Sequence, residues 1–341
     1  MGTSRRMEIE VALDATVEQV WGAIATGPGI SSWFVPTTVV EELGGLMRQD
    51  FGSGFVADGE VTAWEPGRRF AYRAKDPDGD VAGGGAVGGE ATGGEAAGHD
   101  LAGGEAAGGD GVGEVTGGGA AGEAVGGAGE ERAERPDYAF EFLVEARDGG
   151  STVLRFVQSG FLDGAEWDAE YDGFLHGWQL FFENLTAYLA HFPGRTARTV
   201  VTMGFSPSSP AGAWDVMHGA LGLTGRPAVG DVVRLRPSGP APVEGVVDVS
   251  TDHFLGVRSD SALYRFGAEG TSGCGVSAYH YHFGPVDLEA EQTAWQAWLT
   301  TLFPPPTGTP GETPAEAPRE TPGDGADRTT AEAAEARGSR A

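Results

Sequence analysis

Residues 168–192 decide the fold; they read DAEYDGFLHGWQLFFENLTAYLAHF. Large apolar side chains return in this stretch every three or four residues, which is the spacing of one face of an α-helix. They are Tyr171, Phe174, Leu175, Trp178, Phe181, Phe182, Leu185, Tyr188, Leu189 and Phe192. Pro193 and Gly194 follow directly and end the pattern. The sequence predicts one long helix whose wide apolar stripe must be covered by another layer of structure.

The segments before this helix predict the layer that covers it. The first of them, MEIEVAL, alternates apolar and polar side chains, which indicates a half-buried strand. Thr16 and Gln19 have the spacing of a capping box, and a short amphipathic helix follows them. Strand-like stretches then continue to residue 74 and return at residues 138–144 and 153–158. A run of antiparallel strands with helices at both ends is an α+β fold, and we expect the long helix to lie on the concave face of the sheet.

Composition separates the folded parts of the 341-residue chain from two low-complexity parts. Residues 77–136 are rich in Gly, Ala and Glu and contain no aromatic residue. Such segments bury too little apolar surface to offset the entropy of ordering, so we predict a disordered insertion in the hairpin that they interrupt. A neutral spacer is the favoured explanation, and a regulatory or partner-binding arm is the alternative. Residues 304–341 are rich in Pro, Ala and Glu, and we predict a disordered tail there.

Residues 193–303 repeat the order strand, helix, strands, helix. In this second unit GAWDVMHGA corresponds to VEQVWGAIA of the first, and LTTLFP corresponds to YLAHFP. We read this as a weak internal repeat. The sequence therefore predicts two domains, one at residues 1–192 that carries the insertion and a shorter, diverged copy at residues 193–303.

Charge and composition exclude several classes of protein. A formal net charge of −28 makes the chain a poor ligand for the phosphates of nucleic acids. The single cysteine, Cys274, excludes an intramolecular disulfide and a cysteine-based zinc site. No apolar run has the length of a membrane span, and the amino-terminal residues lack the apolar core of a secretory signal. We expect a cytoplasmic protein. Lys75 is the only lysine beside many arginines, a bias that indicates a GC-rich bacterial genome.

Motifs for catalysis are absent from the sequence. The chain has no P-loop, no G-x-S-x-G nucleophile motif and no pair of inward-facing carboxylates. His280 and His282 would share one face of a strand, and His253 is the one candidate for a third metal ligand. We favour a polar sheet face or pocket wall over a metal site for these histidines. The sequence thus predicts no catalytic residue, no metal site and no cofactor.

The first unit carries turn and core residues in a fixed order. They are VEQVWGAI at residues 17–24, Trp33 with Pro36, Gly44 and Gly45, Gly59, Pro66, Thr152, Gly160 with Phe161, and Gly177 with Trp178. Through these residues the chain resembles the SRPBCC (START/Bet v 1-like) superfamily. It is most similar to the branch related to the C-terminal domain of the activator of Hsp90 ATPase. The resemblance covers about residues 5–75 and 138–192, whereas the second unit matches only in outline.

The resemblance implies a helix-grip fold, in which a curved antiparallel sheet wraps around a long carboxy-terminal helix and leaves a hydrophobic cavity. Members of the superfamily bind lipids or other small hydrophobic molecules, cyclise polyketides, sequester toxins or assist chaperones. The cavity candidates are Trp33, Tyr72, Tyr138, Phe142, Phe156, Gln158 and Trp178. Gln158 is expected on the inward face, where a polar group is either paired in the core or turned toward a cavity. Plain packing in the core is the alternative for all seven residues.

Our first hypothesis is a binding protein that holds a small hydrophobic ligand in the first unit, without catalysis. One alternative is a co-chaperone-like role with a protein partner of the chaperone type. The other is a cyclase or hydrolase that uses polar groups of the cavity. Neither a nucleic-acid partner nor a membrane span is expected.

Overall fold

The computed structural model describes residues 5–52, 54–74, 137–161, 164, 168–270 and 273–305. The described residues belong to one compact unit, Met1–Pro305. The predicted insertion at residues 77–136 lies outside the described residues, and so does the predicted tail from residue 306 onward. Their predicted disorder stays a prediction.

Seven antiparallel strands form the first sheet. In chain order they are β1 (Arg5–Leu13), β2 (Thr37–Val39), β3 (Leu46–Gly52), β4 (Phe55–Glu65), β5 (Arg69–Ala74), β6 (Tyr138–Ala146) and β7 (Thr152–Phe161). Their spatial order is β1-β7-β6-β5-β4-β3-β2. Ala74, the last residue of β5, pairs with Tyr138, the first residue of β6.

Three α-helices occur in the described part of the chain that forms the first sheet and directly after it. They are α1 (Val17–Ala25), α2 (Gly27–Ile30) and the long α3 (Asp168–His191). The predicted capping box is present at α1: the backbone N–H of Gln19 donates to Thr16 Oγ1 at 3.3 Å, and the Thr16 N–H donates to Gln19 Oε1 at 2.9 Å. Two otherwise unpaired groups at the helix start are satisfied in this way.

A second antiparallel sheet follows the long helix. Its strands are β8 (Arg198–Ser206), β9 (Val232–Leu235), β10 (Val243–Ser250), β11 (Phe254–Arg258), β12 (Ala262–Glu269) and β13 (Cys274–His282), and their spatial order is β8-β13-β12-β11-β10-β9. Helix α4 (Pro210–Ala220) follows β8, and α5 (Leu288–Leu302) follows β13. The second half therefore repeats the element order of the first. The α+β helix-grip prediction is confirmed by this architecture.

Helix α3 packs against both sheets. Toward the first sheet the Trp178 ring lies 4.2 Å from the Phe156 ring, measured between centroids. Toward the second sheet the Phe181 ring meets the Tyr279 ring of β13 edge-on at 6.1 Å, and Phe192, directly after α3, stacks on Phe283 at 4.1 Å. One hydrophobic cluster accordingly contains side chains from the first sheet, from α3 and from one face of the second sheet. The broad apolar stripe of α3 is explained by this double burial, which stabilises the helix from two sides.

The opposite face of the second sheet packs against α4 and α5. Trp214 and Met217 of α4 and Trp295 and Leu299 of α5 are buried in a separate cluster there. Period-two alternation along β12 and β13 sends odd-numbered side chains toward α3 and even-numbered ones toward these two helices. Both faces of the second sheet are therefore covered by apolar layers.

Candidate functional site

A cavity lies between the first sheet, the short helix α2 and the long helix α3. Its walls include six aromatic side chains: Trp33, Phe34, Phe70, Tyr72, Phe142 and Trp178. Its volume is about 10 Å³, which is the space that a single water molecule needs. The aromatic walls are therefore nearly in contact with one another.

Two buried polar side chains, Gln49 and Tyr72, also line this cavity. The Nε2 of Gln49 donates to the hydroxyl of Tyr72 at 3.4 Å, a long hydrogen bond. Burial raises the pKa of the Tyr72 hydroxyl well above its ordinary value, so this hydroxyl remains protonated at neutral pH. Sequence reasoning missed Gln49, although the alternation in LMRQDF places it on the same face of β3 as Met47 and Phe51.

Four of the seven cavity candidates line the cavity, namely Trp33, Tyr72, Phe142 and Trp178. The other three surround it. Phe156 packs on the Trp178 ring, and Gln158 accepts a hydrogen bond from Trp178 Nε1 at 2.6 Å. The Tyr138 ring lies 5.1 Å from the Phe174 ring, at the start of α3. Ligand contact by any of the seven stays a prediction.

Gln158 is fully buried, and its amide nitrogen has no hydrogen-bond partner among the described residues. A buried N–H group without a partner costs about 1–3 kcal/mol. The carbonyl end of the same amide is satisfied by Trp178. The donor end is therefore available to a polar atom that enters this region.

A second polar group lies between α3 and the second sheet. One potential ligand atom from each of His176, His253 and Glu269 lies within 4.8 Å of the other two. The two imidazole rings stack at 4.2 Å between centroids, with an angle of 25° between their planes. Glu269 is 3% exposed, and neither of its carboxylate oxygens has a hydrogen-bond partner in the described part of the chain.

The environment of this group perturbs its titration. Burial raises the pKa of the Glu269 carboxyl well above its ordinary value. Burial, and after it the neighbouring His176, lower the pKa of His253. The sequence singled out His253 as a possible metal ligand, but neither His176 nor Glu269 was expected beside it. Only the pairing of β11 with β12, and the packing of α3 on the second sheet, bring the three together.

His280 and His282 lie elsewhere, on the face of β13 that packs toward α5. The His280 ring meets the Trp295 ring edge-on at 4.4 Å, and its Nδ1 accepts a hydrogen bond from the Arg265 N–H at 3.3 Å. Burial lowers the pKa of His280 well below its ordinary value. The three-histidine arrangement considered from the sequence does not form, because His253 lies with His176 rather than with this pair.

A buried ionic network joins α3 to the second sheet. Arg265 of β12 is fully buried, and its guanidinium contacts both carboxylate oxygens of Asp248 at 3.0 and 2.9 Å. Its Nε donates to the side-chain oxygen of Asn184 on α3. Bidentate pairing of this kind fixes orientation as well as charge. Because each of the three guanidinium nitrogens donates to an acceptor of the protein itself, we assign this network a structural role.

Comparison with known proteins yields similar folds only. No family model matches the sequence, and no curated protein matches it. Among solved structures, protein MLL2253 from Mesorhizobium loti is 21% identical, and the match covers 55% of this chain and 98% of that chain with a TM-score of 0.37. The di-domain ARO/CYC BexL from the BE-7585A biosynthetic pathway is 12% identical, over 87% of this chain and 94% of its own, with a TM-score of 0.36.

The Aha1 protein from Colwellia psychrerythraea, solved as a dimer, is 14% identical over 54% of this chain and 96% of its own, with a TM-score of 0.32. Likeness at these identities concerns the fold alone. The strand order and the long helix described above agree with the helix-grip fold that the sequence predicts. No helix in the described parts of the chain is long and apolar enough to cross a membrane.

Proposed function

We propose that this protein binds a small, mainly apolar molecule between the first sheet and α3. The observation that carries the proposal is the aromatic cavity with Gln49 and Tyr72 in its wall. Binding sites for small molecules are mostly apolar, with a few polar groups that orient the ligand. The long hydrogen bond between these two side chains leaves both of them free to engage a ligand atom instead.

The chemistry of the walls indicates the ligand class. Six aromatic rings around one small space favour a flat, apolar ligand that packs face-on or edge-on against them. The amide of Gln49 and the hydroxyl of Tyr72 both donate and accept hydrogen bonds. We therefore expect a flat apolar molecule with one hydrogen-bonding group.

Binding requires the cavity to widen. A cavity of about 150 Å³ is the size that takes up benzene, whereas the cavity here measures about 10 Å³. Met47 lines it, and the unbranched side chain of methionine adapts readily. Residues 171–176 of α3 are only half-buried or exposed, whereas Trp178 is buried. Opening at this end of the helix exposes less buried surface than opening at its carboxy-terminal half, and the ligand stabilises the wider state.

The test uses two tryptophan substitutions on neighbouring positions of β3. Met47 faces the cavity and is 2% exposed, whereas Leu46 faces outward and is 73% exposed. Met47→Trp fills the cavity, and Leu46→Trp adds the same side chain to the outer surface. The probe is N-phenyl-1-naphthylamine, a flat apolar dye, titrated into the full chain and followed by its fluorescence.

Wild type and Leu46→Trp are expected to bind the dye saturably, one molecule per chain. Met47→Trp is expected to bind it at least about tenfold more weakly, because the indole occupies the space that the dye needs. Thermal unfolding of both variants checks that the fold is retained. Absence of saturable binding by wild type, or equal binding by a folded Met47→Trp, would overturn the proposal.

A further inference from the structure

The group formed by His176, His253 and Glu269 is separate from the aromatic cavity, since none of the three lines it. His176 lies in the first half of α3, His253 directly precedes β11, and Glu269 is the last residue of β12. The backbone N–H of Ala268 donates to the oxygen of His253 at 3.0 Å, which holds the two strand ends side by side. A helix and two adjacent strands thus bring one donor each to a common point.

Several polar atoms of this group are buried without a hydrogen-bond partner among the described residues. Both oxygens of Glu269 lack a hydrogen-bond partner among the described residues, and so does the Nδ1 of His253. A carboxyl group that is 3% exposed and without partners is costly to bury. Nearly all buried polar atoms in proteins are paired with protein groups, water or an ion. A cation between the three side chains would satisfy these atoms together.

The donor set defines the class of cation. Two imidazole nitrogens and one carboxylate oxygen suit zinc and other divalent ions of the first transition row, whereas magnesium and calcium prefer oxygen ligands alone. Ligands at 2.0–2.2 Å from a tetrahedral ion lie about 3.4 Å apart. The three donor atoms lie within 4.8 Å of one another, so movements of about 1 Å bring them to ligand distance. The two stacked imidazole rings must also turn out of their parallel arrangement so that one nitrogen of each points at the ion.

We propose that His176, His253 and Glu269 bind a divalent first-row transition-metal ion, of which zinc is the representative. Three protein ligands leave a fourth position for water or for a bound molecule, which is the arrangement of zinc sites that perform chemistry. The site shares His253 with the arrangement considered from the sequence, but it does not include His280 or His282. It also stands independently of ligand binding in the aromatic cavity.

The experiment measures zinc binding by the full chain. The protein is stripped with a chelator, titrated with Zn²⁺, and the bound metal is counted by elemental mass spectrometry. Titration with Co²⁺ gives a second readout, because its visible absorption reports nitrogen and oxygen ligands in a four-coordinate site. Mg²⁺ serves as the comparison ion.

The variants are Glu269→Gln, which keeps shape and loses the anionic ligand, and His253→Asn. His218→Asn is the matched control, because His218 is a partly buried histidine that stacks on Trp214 of α4, outside the group. Circular dichroism and thermal unfolding establish that each variant is folded.

Wild type and His218→Asn are expected to bind one Zn²⁺ per chain. Glu269→Gln and His253→Asn are expected to lose about 100-fold or more in affinity, since even outer-shell partners of a metal are worth 10–100-fold. The inference is overturned if wild type retains no stoichiometric zinc, if Mg²⁺ binds as tightly, or if the folded variants bind zinc as wild type does.

Discussion

Asn184 of α3 accepts a hydrogen bond from the Nε of Arg265 on β12, and its side-chain nitrogen donates to the backbone oxygen of Trp33 at 3.3 Å. A single side chain therefore connects the segment after α2, the long helix and the second sheet. Asn184 is fully buried within an otherwise apolar surface. This contact defines one register of α3 against the second sheet, which apolar packing alone would leave less specified.

The first prediction concerns the buried ion pair of Arg265 with Asp248. Asp248→Asn removes the charge that balances a guanidinium whose side chain is 1% exposed. We expect a loss of about 3–5 kcal/mol in the free energy of unfolding, because an uncompensated charge remains buried. Urea unfolding at neutral pH measures it.

The control for this prediction is the exposed pair of Arg48 with Asp58, whose side chains are 61% and 70% exposed. Asp58→Asn is expected to change stability by less than about 1 kcal/mol. If Asp248→Asn proves as mild as Asp58→Asn, the network contributes little to stability and its structural role is wrong.

The second prediction concerns Gly256 on β11. A Cβ at this position would lie 2.8 Å from Arg265 Nη1 and 2.8 Å from Asp248 Oδ1. Gly256→Ala should therefore destabilise the protein by about 1–3 kcal/mol through overpacking. Gly219→Ala on α4 meets no atom within 4 Å, and it should stabilise by up to about 1 kcal/mol through helix propensity. Thermal unfolding of the two variants measures both effects. Equal shifts of the two melting temperatures would refute the prediction.

The third prediction concerns the hydrogen bond from Trp178 to Gln158. Trp178→Phe leaves the side-chain oxygen of Gln158 unsatisfied, so it should cost about 1–3 kcal/mol. Gln158→Met leaves Trp178 Nε1 unsatisfied but also removes the unpaired amide nitrogen of Gln158, so it should cost less than Trp178→Phe. The double variant should cost less than the sum, by a coupling free energy of about 1 kcal/mol. Urea unfolding of all four proteins gives this coupling. A value near zero would mean that the contact does not stabilise the wall of the cavity.

The fourth prediction concerns pH and His280. Burial, followed by the charge of neighbouring His282, holds the pKa of His280 far below its ordinary value near 6.5. Below about pH 6.5 His280 binds a proton in the unfolded chain but not in the folded one. The free energy of unfolding therefore falls as the pH falls. In this pH range the contribution of His280 to the free energy of unfolding decreases by up to about 1.4 kcal/mol for each pH unit.

His280→Asn removes the titrating group and keeps an acceptor for the Arg265 N–H. The free energy of unfolding of wild type and variant is measured by urea unfolding at pH 7.5, 6.5 and 5.5. In the difference between the two proteins, the contributions of the other titrating residues cancel. We expect the stability of wild type to fall more steeply than that of the variant over this range. Parallel curves would show that His280 titrates as freely in the folded state as in the unfolded one.

Local patterns in the sequence predicted much of the fold. The spacing in residues 168–192 predicted a helix that the structure has at Asp168–His191, and Thr16 with Gln19 predicted the observed capping box. Both features depend on residues that are three or four positions apart in the sequence, so the local sequence is sufficient to predict them.

Contacts between distant elements could not be predicted in this way. The second sheet covers the outer face of α3, where Asn184 is the polar residue in the apolar stripe. Glu269 joins the two histidines only through strand pairing and this packing. No spacing in a single sequence encodes which helix face meets which sheet, so the grouping of Glu269 with the two histidines was not predicted. Phe34 and Phe70 of the cavity wall were not predicted either, whereas the other four aromatic residues that line the cavity were named as candidates.

The most direct test of ligand binding is the mass of the full chain under native conditions. Wild type, Leu46→Trp and Met47→Trp are purified gently from a GC-rich bacterial host, and each is weighed before and after denaturation. We expect a discrete additional mass on wild type and Leu46→Trp that leaves on denaturation and is absent from Met47→Trp. A bare wild-type chain, or the same additional mass on Met47→Trp, would contradict it.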